Sequence, residues 1–407
     1  MRRVAITGMG AISPFGRGVE SLVSALAEGK SAVSRHDFLD NFEGLRTRVA
    51  ALVPSAINGR EIPRSRRRSM SRQSIFAVLA AAEALQQAGI DCRELAPGRM
   101  GVAVGTTIGS LETSQEFFAD HLPDKSFTRM KTSLFFKTMN HSAAANVAQF
   151  FGLSGRLMAP AAACATGCQA IGYAAEMIAD GHQDLMFCGG CEEFHPLSAA
   201  TFDLMNAASI SYNERPGMAS RPFDRHRDGV VCGEGAGILL LEEWNAAVRR
   251  GARILGEVRG FATLTETASI AEPSSAAMQQ CMTAALDTAG CTPAEIDYIN
   301  AHATATEKGD IAEAGALFGL FGDRVPVSSF KGHLGHTLAA SGGLEIIAGI
   351  TMMRQKVLWP TLNLKEVDPL CAGPRFLTEA EQFTGCRMLK NNFALGGVNA
   401  SLVIETI

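Results

Sequence analysis

Residues 157–181 read LMAPAAACATGCQAIGYAAEMIADG. A short apolar run, LMAPAAA, gives way at Cys164 to a stretch rich in Ala, Ile and Met, so the segment predicts a buried strand that turns into a helix. Cys164 stands at the turn. Its sulfur would lie near unpaired N–H groups at the positive end of the helix, which favours a thiolate. The small residues Ala162, Ala163, Ala165 and Gly167 leave space for a carbonyl to approach, and the Cys164 N–H could point at an oxyanion. Cys168, one turn on, is expected to pack against the helix's own neighbours. An inert buried cysteine at 164 fits the same local pattern.

The same unit recurs at 325–353, where VPVSSF is followed by KGHLGHTLAASGGLEIIAGITMM. Two stretches also finish alike, GEGAGILLLEE (233–243) and ALGGVNASLVIET (394–406), on either side of the polar segment WNAAVRRGARILGE. Both observations hint at a duplication. Runs such as RVAITGMG, MGVAVGTT and DLMFCGG alternate with helical stretches such as IFAVLAAAEALQQAG, which predicts α/β architecture with buried strands.

The chain has 407 residues, 37 Lys plus Arg against 41 Asp plus Glu, and a net charge of −4. That near balance supplies no global field for nucleic acid or an anionic membrane. No apolar run approaches the roughly 18–20 residues of a membrane span, and MRRVAITGMG reads as a buried strand and turn rather than a signal peptide, so a soluble cytoplasmic protein is expected. Ten scattered cysteines suit a reducing compartment. Cys188 and Cys191 have CxxC spacing with His195 nearby, an alternative redox or zinc site, but no second CxxC follows and no metal is expected. GEGAG lacks the spacing of a dinucleotide fingerprint. Within 60–72, Arg60, Arg64, Arg66, Arg67, Arg68 and Arg72 crowd together, either as a solvated basic face or as a dock for an acidic partner.

His302 follows a β-rich run in YINAHATATEKGD, and His336 precedes an apolar helix in SSFKGHLGHTLAASGG. An imidazole so placed can donate from Nε2 to a substrate oxygen. Lys331 and Glu345 flank His336, either as a buried pair that orients the imidazoles or as an ordinary ion pair.

In this order and at these separations, CATGCQA (164–170), NAHATATEKGD (300–310), FKGHLGHTLAASGG (330–343) and NNFALGGVNAS (391–401) resemble the four active-site segments of the β-ketoacyl-acyl-carrier-protein synthases. The likeness extends through RRVAITGMGAISPFG and SRPFDRHRDGVVCGEGAGILLLEE to the closing strand. It implies a thiolase-like duplicated α/β fold of five layers, αβαβα. It further implies a half at 1–250 carrying the nucleophile and a half at 251–407 carrying both histidines. A homodimer is implied, with a heterodimer of related subunits as the alternative. By motif position the resemblance implies Cys164 as nucleophile, His302 and His336 as catalytic histidines, Lys331 and Glu345 as their support, and the N–H groups of Cys164 and Leu395 as the oxyanion hole. Asp310 and Glu313 match structural acids near the first histidine. Thr107, Ile108, Phe135, Phe136, Phe393 and Leu395 fall at the acyl pocket or gate, and Arg64, Arg66, Arg67 and Arg68 become the dock for an acyl carrier protein. The implied reaction is decarboxylative condensation of an acyl group on Cys164 with a malonyl group on carrier phosphopantetheine, without a cofactor.

The chain departs from the family's usual GFGGTN: Leu395 replaces an aromatic gate and Val398 a hydroxyl residue, while Ala303 replaces a glycine. A specialised polyketide or aryl-polyene pathway therefore competes with fatty-acid elongation. A non-catalytic chain-length subunit is the remaining alternative, although such partners typically lack the cysteine.

Overall fold

The computed structural model describes the backbone of residues 1–407 and every side chain except that of Glu94. The strand Val4–Ser13 is buried at every position, as are Leu185–Glu192 and Gly235–Glu243. Strands covered on both faces read as continuous apolar runs rather than alternating ones, which explains the patterns at all three places.

The strands form two sets with one topology. In the first, Val4–Ser13 pairs antiparallel with Gly235–Glu243, which pairs antiparallel with Leu185–Glu192. Leu185–Glu192 runs parallel to Met100–Gly105, and Met100–Gly105 parallel to Leu157–Met158. In the second set Gly256–Thr265, Val398–Thr406, Arg387–Ala394, Tyr298–Asn300 and Pro326–Ser328 repeat that order and those directions. The sets join where Ala5 pairs with Glu257 and Ile6 with Gly256, so one sheet order runs through both. The duplication hinted at by the sequence is explicit here.

Helices Thr166–Ala179 and Ser341–Arg354 lie between the two sets, against strands of both and against each other. Outside the first set, Arg72–Ala88 and Ser142–Phe151 share an apolar cluster with its strands. Ser275–Ala289 and Glu307–Phe321 do the same outside the second. These are the five layers, αβαβα, of a thiolase-like fold. Ser341–Arg354 is buried except at Thr351 and Arg354, so a charge on it such as Glu345 must be paired.

The central helices approach closely because glycines line the contact. A Cβ on Gly167 would stand 2.6 Å from Ala339 O, and one on Gly342 would stand 2.5 Å from Cys168 N. This contact sets the N-terminus of one helix, with Cys164, against the N-terminus of the other, just past His336.

One alternative falls away and one expectation is corrected. Cys188 and Cys191 face opposite sides of Leu185–Glu192, one in the central apolar cluster and one in the outer cluster, because residues three apart on a strand point opposite ways. His195 Nε2 lies 2.8 Å from Gln115 Oε1, and the three side chains form no chelating set. Arg72 leaves the basic cluster: it pairs with Glu234 at 2.6 Å and stacks over Phe76. Among the described residues, no helix is long and apolar enough to cross a membrane.

Candidate active site

Cys164 occupies a 3₁₀ turn, Ala163–Ala165, that feeds directly into Thr166–Ala179. Ala163 has φ 45°, a left-handed conformation that costs a non-glycine residue about 1–2 kcal/mol. The turn is held by the Ala162 N–H donating to Thr166 Oγ1 at 2.8 Å and by Ser341 Oγ donating to Cys164 O at 3.4 Å.

Both histidines come from the second half. The strand Tyr298–Asn300 delivers His302, and the Glu313 carboxylate holds the loop beyond it by accepting the N–H groups of His302 and Ala303 at 2.8 and 2.6 Å. Asp310 accepts the Phe223 N–H at 2.8 Å. His336 is pinned through its backbone, donating to Val231 O at 2.7 Å and accepting from Gly233 N at 2.8 Å. Its Nε2 lies 2.9 Å from Cys164 Sγ. The two imidazole centroids are 5.3 Å apart at 82°, and donor atoms of Cys164, His302 and His336 lie within 4.8 Å of one another. Asn392 Nδ2 donates to His302 Nδ1 at 3.3 Å, which leaves the His302 proton on Nε2.

Beneath the rings, Glu345 Oε1 lies 2.7 Å from Lys331 Nζ and Oε2 lies 2.7 Å from Lys390 Nζ, all three side chains being buried. Burial holds both imidazoles well below the usual histidine range, and the Lys331 and Lys390 charges add to it. Burial also pushes the Cys164 thiol up to about 12, against an opposing pull from Lys331 and from the N–H groups of Cys164 and Leu395. Burial of the sulfur thus opposes the thiolate that a helix N-terminus favours, and burial of the rings opposes the imidazolium. Glu192, raised to about 7 mainly by burial, accepts from the Thr107 N–H at 3.1 Å and the Ala339 N–H at 3.3 Å.

The structure thus gathers Cys164, His302, His336, Lys331 and Glu345, with the Leu395 N–H toward the thiol. Phe393 is buried, its ring 6.4 Å from that of His302. Thr107 and Phe136 are half-buried, whereas Ile108, Phe135 and Leu395 are exposed on the single chain. Arg64, Arg66 and Arg68 are exposed, but Arg67 is half-buried and donates to Gly59 O at 2.8 Å. Cys168 does not simply pack within its helix, since its thiol donates to Asn392 Oδ1 at 3.1 Å. Sequence reasoning missed Lys390, Asn392 and Glu192. A lysine at the centre of the strand-like RMLKNNFA was the available signal, because a buried ammonium requires a partner.

Chemically the arrangement offers a nucleophile, an acceptor 2.9 Å away for its proton, an Nε2–H donor and an N–H near the thiol where an oxyanion can form. The same trio is the one grouping among the described residues that could hold a metal ion, and the lysines beneath it oppose a dication.

A thiolase-like fold with a cysteine and two histidines meeting between its halves defines a carbon–carbon bond-forming acyltransferase. The chain belongs to the β-ketoacyl synthase family: residues 1–247 match the β-ketoacyl synthase N-terminal domain and residues 255–365 the C-terminal domain. It is 34% identical to 3-oxoacyl-[acyl-carrier-protein] synthase 1 of Haemophilus influenzae, over 100% of this chain and 99% of the relative. A β-ketoacyl synthase crystal structure from Burkholderia phymatum STM815 superposes with a TM-score of 0.97 at 42% identity, covering 100% of both chains. A type II polyketide synthase acyl-carrier protein in complex with its ketosynthase bound to the hexaketide matches with a TM-score of 0.91 at 28% identity, covering 100% of this chain and 99% of that one.

Proposed function

We propose that the chain condenses an acyl group held on Cys164 with malonyl-acyl-carrier-protein, giving β-ketoacyl-acyl-carrier-protein and CO2. The observation that carries this reading is the convergence of Cys164 Sγ, His336 Nε2 and His302 beside the Leu395 N–H.

In the first half-reaction Cys164 Sγ attacks the thioester carbon while His336 Nε2 takes the thiol proton. The N–H groups of Cys164 and Leu395 hold the oxyanion; loss of one such donor typically costs about 3–4 kcal/mol. Collapse expels the carrier sulfur, which receives the proton from His336. In the second, the malonyl thioester oxygen accepts from His302 Nε2 and, once exchange with solvent has moved the His336 proton from Nδ1 to Nε2, from His336 as well. Breaking the bond to the carboxylate releases CO2 and leaves an enolate, whose carbon attacks the acyl-Cys164 carbonyl. The Cys164 sulfur departs as a thiolate and takes up one proton from solvent, which restores the thiol. Lys331 and Glu345 support the imidazoles, and no cofactor enters either step. The two halves divide at 250/251.

A second copy of the chain is the proposed partner besides the carrier. Leu157–Met158 is the last strand of the sheet, and the exposed Ile108, Phe135 and Leu157 offer apolar surface for a second copy to cover. The exposed Arg64, Arg66 and Arg68 offer the carrier's dock. An acyl pocket closed by an aliphatic Leu395 favours wide or conjugated chains, the ketosynthase reading of a specialised pathway.

The test is intact mass after incubation with a panel of acyl carriers. An acyl adduct on Cys164 that malonyl carrier discharges as product and CO2 is expected. No adduct from any acyl thioester refutes the reading.

A further inference from the structure

Side chains of a strand alternate, so Lys390 and Asn392 share one face of Arg387–Ala394. In the helix Ser341–Arg354, Ser341 and Glu345 are one turn apart on one face. The spacings match: two strand residues span about 6.6 Å and four helical residues about 6 Å. The match makes a two-rung ladder between strand and helix. Asn392 Nδ2 donates to Ser341 Oγ at 3.0 Å, and Lys390 Nζ meets Glu345 Oε2 at 2.7 Å.

Each rung continues into the site. Asn392 reaches His302 Nδ1 at 3.3 Å, and Glu345 reaches Lys331 at 2.7 Å. Further along the same segment come Phe393, against the His302 ring, and the Leu395 N–H that faces the thiol. Lys390 Nζ also donates to Asn391 O at 2.6 Å, so its position is fixed. Burying a second ammonium on a carboxylate that already holds a lysine is costly, and a neutral residue would fill this strand position without that cost.

We propose that Lys390 is a positioning residue for the condensation: clamped on Glu345, it locks the strand carrying Asn392 in register with the central helix and shares with Lys331 the positive charge beneath the imidazole pair. This rests on the reading of Cys164, His302 and His336 as the condensing site. The charged and titratable groups facing the rings are Lys331 from the turn before His336, Lys390 from the strand, Glu345 from the central helix, Glu313 from Glu307–Phe321, and Cys164 with Cys232 from the first half, Glu192 acting on those two thiols. Of these, the two ammoniums make it harder to protonate either ring. Glu313 is engaged by the N–H groups of His302 and Ala303.

Lys390→Met keeps an unbranched side chain one atom shorter, removes its charge and does not touch the Lys331–Glu345 pair directly. Three quantities decide the matter: CO2 release from malonyl carrier across pH, alkylation of Cys164 by iodoacetamide across pH, and the thermal midpoint. CO2 release should fall by up to about a hundredfold, the size of effect that small misplacements produce. The acid limb of both profiles should move to higher pH, since losing a positive charge makes the imidazolium easier to form. Lys390→Arg, which retains the charge, should return the limb to its wild-type position even where its bulk slows turnover. An unmoved limb in the Met variant overturns the proposal, whether the rate holds or falls with the thermal midpoint. Failure of wild-type Cys164 to take an acyl group is a different result. It refutes the condensing reading, while the alkylation profile still tests the charge.

Discussion

Glu345→Gln removes a charge and almost no volume from the centre of the molecule. The carboxylate holds Lys331 and Lys390 at 2.7 Å each, and all three side chains are buried. An amide in its place leaves two ammoniums facing one weak acceptor. The cheapest relief is for one lysine to shed its proton, which from an ordinary pKa of about 10.4 costs about 5 kcal/mol at pH 7. Removing one partner of a buried pair typically costs about 3–5 kcal/mol, so the two routes agree. Urea unfolding at pH 7 should therefore show a loss of about 3–5 kcal/mol. The sign of its pH dependence follows from the protons. A lysine neutral in the folded variant and charged in the unfolded chain means that the unfolded state binds more protons, so the variant gains stability as pH rises toward about 10. The deficit against wild type should shrink by up to about 3 kcal/mol between pH 7 and pH 9.5. A deficit below about 1 kcal/mol at pH 7, or one equal at both pH values, refutes the argument that this carboxylate carries two buried ammoniums.

Cys164→Ala should abolish condensation while CO2 release from malonyl carrier persists through the histidines, as read by product and CO2 assays on the same sample; an unchanged condensation rate removes Cys164 from the mechanism. Leu395→Phe should slow acylation by wide or rigid acyl groups more than by straight saturated ones, with overpacking of about 1–3 kcal/mol; an unchanged ratio of the two rates would falsify a selecting role for Leu395. Arg64→Glu with Arg68→Glu, both exposed, should raise KM for the carrier substrate and leave KM for a small pantetheine thioester unchanged. Glu192 is raised to about 7 by burial, so the folded chain keeps a proton that the unfolded chain loses. Its contribution is present below about pH 4.5 and is lost as pH rises to about 7. Glu192→Gln should remove that decline, gaining on wild type by up to about 3 kcal/mol between pH 5 and pH 8 in chemical unfolding; parallel stability curves contradict it.

The sequence by itself determined the chemistry that is local. Cys164 at a strand-to-helix turn, the small residues around it, and the segments around His302, His336 and Leu395 are each legible because backbone geometry and reactive groups sit within a few residues of one another. The duplicated α/β order was legible for a similar reason, since strands covered on both faces must be apolar throughout. Tertiary structure decided what depends on register between distant segments. Nothing local to Lys390 or Glu345 says that they meet, and the pairing of Asn392 with Ser341 follows only once strand and helix pack side by side. The opposing pulls on the Cys164 proton were likewise out of reach. A helix N-terminus can be read from sequence and points toward a thiolate, whereas the desolvation that opposes it is the sum of every layer folded over the sulfur. Ile108 and Phe135 show the same limit at the surface, because their apolar character is local but their exposure is set by where the whole chain places them.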